Sequence, residues 1–242
     1  MATVPAGLPE RVTIRDVGPR DGLQPEAPVP VADRIRLVDA LAAAGLATIE
    51  AAAFVSPKAV PAMAGAGEVL AGIDRRPGVT YVALVPNLRG AELALAAGVD
   101  ALTVTISASE TYNRRNVGMG TDDSVAVIAD IAALAACGGP GGGPMAVDAV
   151  ISCSFGSPYE GEVAPAAVAD LAERVRAAGA TTATYADTTG TATPRRIHDL
   201  LDALDAAALA RDVGLHLHDT RGTALVNAYA GLAAVDVYIG AT

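Results

Sequence analysis

Short apolar runs alternate along the chain with longer, Ala-rich amphipathic stretches. The runs Val12–Val17, Thr48–Phe54, Thr80–Val85, Ala101–Ile106, Met145–Ser154, Thr181–Ala186, Gly214–His218 and Val235–Ile239 read as strands. The stretches Val31–Ala44, Ala59–Ala71, Arg89–Ala97, Asp122–Ala136, Pro165–Ala178, Pro194–Ala207 and Thr223–Ala234 read as helices. Punctuation supports several of these bounds: Pro165 and Pro194 fall in first turns, while Gly45, Gly98 and Gly179 follow last turns. Repeated strand–helix units predict an α/β fold with a parallel sheet, and eight strands with seven intervening helices predict a TIM (β/α)8 barrel. A doubly wound open sheet would give the same alternation, but no G-x-G-x-x-G follows the first strand. No linker-like shift in composition interrupts the pattern, and Gly138–Pro144 reads as a surface connection before strand five. Residues 1–242 are therefore expected to form one domain.

Composition agrees and narrows the field. A length of 242 residues suits one barrel, and 52% apolar against 18% charged residues excludes global disorder. With no Trp, two Phe and six Tyr, core volume must come from Ala, Val, Leu and Ile. The excess of 27 acidic over 17 basic side chains gives a net charge of −10, which repels phosphate backbones and anionic lipid, so neither nucleic acid nor a membrane is an expected partner. The uncharged tracts around Ile131–Val147 are broken by GGPGGGP and cannot form a spanning helix. Two cysteines, Cys137 and Cys153, make no disulfide framework, and free thiols fit the cytosol. The start, MATVPAGLPERV, lacks the basic and apolar regions of a signal peptide, so a cytoplasmic location is expected.

Chemistry in a barrel belongs at the C-terminal ends of the strands, and the polar residues gather there. Strand one runs into DVGPRDGLQ with Asp16, Arg20 and Asp21; strand two carries Glu50; strand six ends at Asp187; strand seven ends in HLHD. Alternate strand residues share a face, so His216 and His218 project together. Only strand eight separates strands seven and one in a closed barrel, which brings Asp21 within reach. Two imidazoles and a carboxylate suit Mg²⁺, Mn²⁺, Zn²⁺ or Fe²⁺; the alternative is a pair of hydrogen-bonded core histidines. Arg20 beside Asp21 is either a structural ion pair or a fixed charge aimed at a substrate carbonyl. Glu50 and Asp187, as strand carboxylates, need partners if buried; Asp187 alternatively caps the DTTG turn. Asp219 is expected to orient a histidine or cap the next helix. Cys137 is expected to be inert, Cys153 to be core, and His198 to be a surface residue.

With these residues placed, the chain resembles the 3-hydroxy-3-methylglutaryl-CoA (HMG-CoA) lyase family of barrel metallolyases. The resemblance is carried by VGPRDGLQPE at 17–26, IEAAAFVSPKAVPAMA at 49–64, LVPNLRGAELALAAGVD at 84–100, SASETYNRRNVG at 107–118, SCSFGSPYEGEV at 152–163, YADTTGTATP at 185–194 and LHLHDTRGTALVNAYAGL at 215–232. It implies a divalent metal, Mg²⁺ or Mn²⁺, held by Asp21, His216 and His218. It also implies catalytic roles for Arg20, Glu50, Asp187 and His216, and an acyl-CoA substrate. The implied reaction is a retro-Claisen cleavage to acetyl-CoA and acetoacetate. Related synthases that condense acyl-CoA with a 2-oxo acid read RDGEQ in the first motif; Leu23 stands in the Glu position here and favours the lyase.

The chain also departs from the family pattern. Ala53 replaces the usual Ser, and after VDVYIGAT no residue matches the family's glycine-rich cysteine loop or its asparagine ligand. The expected barrel thus lacks its last helix and the C-terminal extension, and the metal has three protein ligands. A truncated, weakly active or inactive metal- or CoA-ester-binding fragment is the second reading. The outer apolar faces of strands one and eight are expected to be uncovered, with a homodimer as one way to cover them.

Overall fold

The computed structural model describes residues 8–9, 11–139, 142–210, 213–232 and 237–241. Eight parallel strands follow one another: β1 (Thr13–Asp16), β2 (Thr48–Ala53), β3 (Thr80–Val85), β4 (Ala101–Ser107), β5 (Ala146–Ser152), β6 (Thr182–Asp187), β7 (Val213–Leu217) and β8 (Val237–Ala241). Each pairs with its neighbours in sequence, and β8 pairs with β1 as well, Thr13 opposite Tyr238 and Asp16 opposite Ala241. The sheet therefore curls into a closed barrel, which excludes the open doubly wound alternative. Around it run α1 (Val31–Ala43), α2 (Ala66–Gly72), α3 (Leu88–Ala96), α4 (Glu110–Val117), α5 (Thr121–Ala135), α6 (Pro165–Ala177), α7 (Pro194–Ala206) and α8 (Ala224–Leu232).

The period of two along each strand sorts its residues between two environments. Ile49, Tyr81, Ala83, Leu102, Val104, Val147, Ile151, Tyr185 and Leu215 join one hydrophobic core with Val38, Val69, Ile128, Val168 and Leu200 from the helices. The alternate positions fill the lumen, and many are polar. Arg15 on β1 bonds Asp148 on β5, halfway round the barrel, which only side chains in the lumen can do. Between Glu50 and Ala52 the register with β3 shifts by a bulge, a device that re-aims side chains beside functional sites.

Four local differences from the sequence expectations have physical causes. The helix expected over Ala59–Ala71 is instead a short 3₁₀ turn, Pro61–Met63, followed by α2. Gly65, at φ +77, turns the chain between them, and a Cβ there would lie 2.7 Å from Val31 Cγ2. Second, α4 forms in a stretch to which the apolar pattern assigns no element. It has no apolar stripe to reveal it, yet Ser109 caps it by accepting from Tyr112 N–H at 3.1 Å and Gly118 ends it at φ +78. Third, β5 stops at Ser152 because Cys153 adopts a left-handed backbone, φ +59. Fourth, β7 ends at Leu217, which leaves His218 one residue beyond it. Parts of the expected last helix and strand, residues 233–236, lie outside the described residues.

Val12 and Ile14, at β1, are exposed, as expected for the outer face of that strand. Leu225, at 86% exposure, Val226 and Tyr229 add an apolar stripe on α8. Among the described residues no helix is long and apolar enough to cross a membrane.

Candidate active site

Beyond β1 the chain makes one wide turn, Gly18–Gly22, in which Val17 C=O accepts from the N–H groups of Arg20, Asp21 and Gly22 at 3.1, 2.6 and 3.4 Å. Asp16 Oδ1 accepts from Gly18 N–H at 2.9 Å and pins the entry to this turn. The turn swings Arg20 and Asp21 over the barrel mouth. There Asp21 Oδ2 lies 3.2 Å from His216 Nε2 and 3.3 Å from His218 Nε2, while the two Nε2 atoms are 3.2 Å apart. The expectation that HLH spacing puts both imidazoles on one face is met, and strand order around the closed barrel supplies the carboxylate.

These three donors fit a divalent cation. Three lone-pair-bearing atoms aimed at one another repel unless a proton or cation lies among them, and two neutral imidazoles with one carboxylate are borderline-hard donors of the kind such ions take. Burial by itself would raise the Asp21 pKa, but hydrogen bonds with His216 and His218, and the charge of Arg20, hold it well below the ordinary range. Hydrogen bonding to Asp21 raises the pKa of His218 against the opposing effect of burial. Asp219 takes no part: its Oδ1 accepts from Ala224 N–H at 2.8 Å at the start of α8, the capping role anticipated for it.

Arg20 is buried, which alone disfavours its charge, but Glu50 and Asp21 flank it and leave the charged form favoured. Its Nε donates to Glu50 Oε1, and its Nη1 donates to Asp21 Oδ1 at 2.5 Å. Asp21 thus gives one oxygen to Arg20 and the other to the histidine pair. Glu50, 1% exposed, lies behind Arg20, and its Oε2 accepts from Thr103 Oγ1 at 2.7 Å. Asp187 is equally buried, but both its oxygens serve the following turn, accepting from Thr191 N–H at 2.8 Å and Ala192 N–H at 3.0 Å. Of the residues anticipated for the site, Arg20, Asp21, His216 and His218 line one cavity of about 180 Å³, whereas Glu50 and Asp187 support it from outside.

Sequence reasoning missed the rest of the cavity wall. Thr105, Ser152 and Thr188 come from strand ends, and Tyr112 with Asn116 come from successive turns of α4. The Ser109 cap and the Gly118 stop were the available signals for that helix. Its position is set by Asn113, which accepts from Ser107 N–H at 3.0 Å and donates to Met119 C=O at 3.0 Å and Ser124 Oγ at 2.8 Å. Glu160, from the loop after β5, accepts from Ser109 Oγ, from Ser157 Oγ at 2.6 Å and from Thr111 N–H at 2.9 Å. Cys153 is buried outside the cavity wall, Cys137 is exposed on the far end of α5, and His198 is exposed on α7.

Comparison with known proteins places this geometry in context. The HMGL-like family model matches residues 11–238. The chain is 44% identical over 226 residues to a 3-hydroxy-3-isohexenylglutaryl-CoA/hydroxymethylglutaryl-CoA lyase of Pseudomonas aeruginosa, an alignment covering 93% of this chain and 74% of that protein. A crystal structure of hydroxymethylglutaryl-CoA lyase from Pseudomonas aeruginosa superposes with a TM-score of 0.90 at 43% identity, covering 96% of this chain and 77% of that one. An HMG-CoA lyase from Acinetobacter baumannii, solved with coenzyme A and 3-methylmalate, gives a TM-score of 0.87 at 33% identity, covering 98% and 76%.

Proposed function

The chain belongs to the HMGL-like family, and from that membership and the geometry of the mouth we propose that it is a metal-dependent carbon–carbon lyase. Its substrate is HMG-CoA or a close 3-hydroxyacyl-CoA, and its products are acetyl-CoA and acetoacetate. The observation that carries the reading is the convergence of Asp21, His216 and His218 next to Arg20, whose charge is held in place from two sides. The similarity to a lyase solved with coenzyme A supports the acyl-CoA part of the reading.

The reaction needs three things from the protein. The tertiary hydroxyl must lose its proton, the bond between the thioester α-carbon and the carbinol carbon must break, and the electron pair left on the thioester side must be stabilised as an enolate. Asp21, His216 and His218 would hold the cation, Mg²⁺ or Mn²⁺, which when bound acts as a Lewis acid and template for the substrate's oxygens. In this reading His216 also relays the hydroxyl proton, the role that the family resemblance implies. Arg20 faces the cavity with a charge that does not have to reorganise as the enolate oxygen becomes negative, the arrangement in which electrostatic stabilisation is largest. Glu50 orients Arg20, and Asp187 shapes the turn that brings Thr188 to the cavity. The enolate carbon takes up one proton, balancing the one lost from the hydroxyl, to give acetyl-CoA beside acetoacetate.

The same reading takes the closed sheet with its surrounding helices as a TIM (β/α)8 barrel, working in the cytoplasm, with a second copy of the chain over the Leu225–Tyr229 stripe. The deciding experiment incubates the purified chain with HMG-CoA and Mg²⁺ or Mn²⁺ and follows acetoacetate. Release that needs the cation and disappears in Arg20→Met supports the proposal; absence of acetoacetate with either cation refutes it.

A further inference from the structure

Beneath the mouth, one layer down the lumen, lies a set of polar residues that the reaction described above does not use. Strand residues two apart share a face, so Thr103 sits below Thr105, and Asp148 below Val150; both upper residues line the cavity. Thr103 and Asp148 stand opposite each other in the β4–β5 register. Arg15 reaches them from β1: its Nη1 donates to Asp148 Oδ2 at 2.7 Å and to Thr103 Oγ1 at 3.4 Å. Asp148 also accepts from Thr182 and Thr184, each at 2.8 Å, which fixes it in turn.

The direction of these bonds matters. A guanidinium has only donors, so the contact from Arg15 occupies a lone pair of Thr103 Oγ1. The Thr103 hydroxyl proton is thereby directed away from Arg15 and onto Glu50 Oε2, at 2.7 Å. With Oε2 occupied, Glu50 presents Oε1 to Arg20 Nε. That bond fixes the guanidinium plane and so decides where Nη1 and the rest of the fork meet Asp21 and the cavity.

We propose that Thr103, polarised by the Arg15–Asp148 pair, is a positioning residue that aims Arg20 through Glu50 for its charge-stabilising role. Thr103, Arg15, Asp148 and Glu50 all lie outside the lining of the cavity. Its contribution is to hold a buried carboxylate in one rotamer and thereby hold an arginine in one plane. The claim that this affects turnover rests on the lyase reading; the claim that it orders Arg20 does not.

The test therefore has two arms. Thr103→Val keeps the shape and deletes the hydroxyl, Thr103→Ser restores a donor, and Thr103→Cys keeps the volume with a poor donor, giving a second probe should the valine fold badly. In the first arm, the Arg20 Nε–H resonance of the isotopically labelled protein, assigned by its loss in Arg20→Lys, is followed for solvent exchange. Slow exchange in the parent and in Thr103→Ser, and fast exchange in Thr103→Val and Thr103→Cys, is expected. In the second arm, kcat on HMG-CoA falls about tenfold in Thr103→Val, the size expected for losing one hydrogen bond to a charged group. KM changes less than threefold in that variant, and Thr103→Ser recovers most of kcat. An Arg20 resonance that exchanges identically in all variants overturns the proposal, whether or not the parent has activity. An ordered parent with no turnover would refute the lyase reading while leaving the positioning claim standing.

Discussion

Arg20 is the residue on which the site turns, because one guanidinium serves Glu50 through Nε and Asp21 through Nη1. A lysine has no fork with which to meet both carboxylates in fixed geometry. Arg20→Lys is expected to lower kcat on the order of a hundredfold, with a smaller change in KM, as measured by steady-state kinetics. Arg34 is a contrasting case. It is 1% exposed, its Nη1 donates to Ala64 C=O at 2.7 Å, and its Nε and Nη2 have no hydrogen-bond partner among the described residues. Burial pushes its pKa down, the mark of a charge poorly compensated. Arg34→Met, similar in length and apolar, should leave the melting temperature unchanged or raise it by a few degrees, since replacing poorly paired buried charge by packed apolar groups is neutral or stabilising. Calorimetry showing a clear loss would mean that the arginine has a compensating partner. His216 and His218 ligate only when neutral, and His218 holds its proton to higher pH than an ordinary histidine because of Asp21. Cation affinity should therefore be full in alkaline buffer and begin to fall, as pH drops, at a pH above the ordinary histidine value of about 6.5, a loss visible by isothermal titration. His216→Ala and His218→Ala should each reduce bound cation after dialysis, by elemental analysis.

At the scale of elements, the loops after the strands carry the site, and α4 shows how a loop becomes a wall. It presents Tyr112 and Asn116 to the cavity, and Glu160 holds its start to the loop after β5. The hydroxyls of Ser109 and Ser157 and the N–H of Thr111 hold the Glu160 carboxyl down to about 2 from its ordinary 4.5. A folded-state value below the unfolded one stabilises the fold at pH above about 4.5 and loses that contribution as pH falls from there through about 2. Glu160 is exposed, so the effect on global stability is small and local order is the better readout. Hydrogen exchange over 110–117 should stay slow from neutral pH to below 4 after correction for the intrinsic rate, and should quicken in Glu160→Gln at neutral pH. Much of this scale was legible beforehand: every strand and most helices fall close to where alternation and Pro/Gly punctuation put them. The helix expected over Ala59–Ala71 was not, because an apolar, Ala-rich run conceals the turn that Gly65 makes against Val31. Nor was α4, whose inward contacts are polar and leave no periodic apolar signal.

For the whole molecule, barrel closure converts sequence distance into contact. Asp21 and His218 lie 197 positions apart and meet at 3.3 Å because β8 bridges β7 and β1. The shell of helices leaves an apolar stripe, Leu225, Val226 and Tyr229, exposed on α8, with Val12 and Ile14 exposed at β1. Surface of this kind favours association. The chain is expected to exceed monomer mass by light scattering at micromolar concentration, and Leu225→Ser with Tyr229→Ser should shift it toward monomer without changing cation binding. A parent that is monomeric throughout would remove the dimer from the picture.

What the sequence determined by itself was the alternation, hence the parallel strand–helix architecture, and the placing of Asp21, His216 and His218 at one end of the strands, because a period of two puts His216 and His218 on one face and motif spacing puts Arg20 and Asp21 at a strand end. Those are local consequences of backbone geometry. Only the tertiary structure decided which carboxylates meet the cavity. Glu50 and Asp187 look alike as acids on strands, yet one backs Arg20 and the other closes a turn, since the partners of a buried charge come from elements far along the chain. The same holds for Thr103, Arg15 and Asp148, three separate positions on β4, β1 and β5 that become one hydrogen-bonded set only when the sheet closes around them.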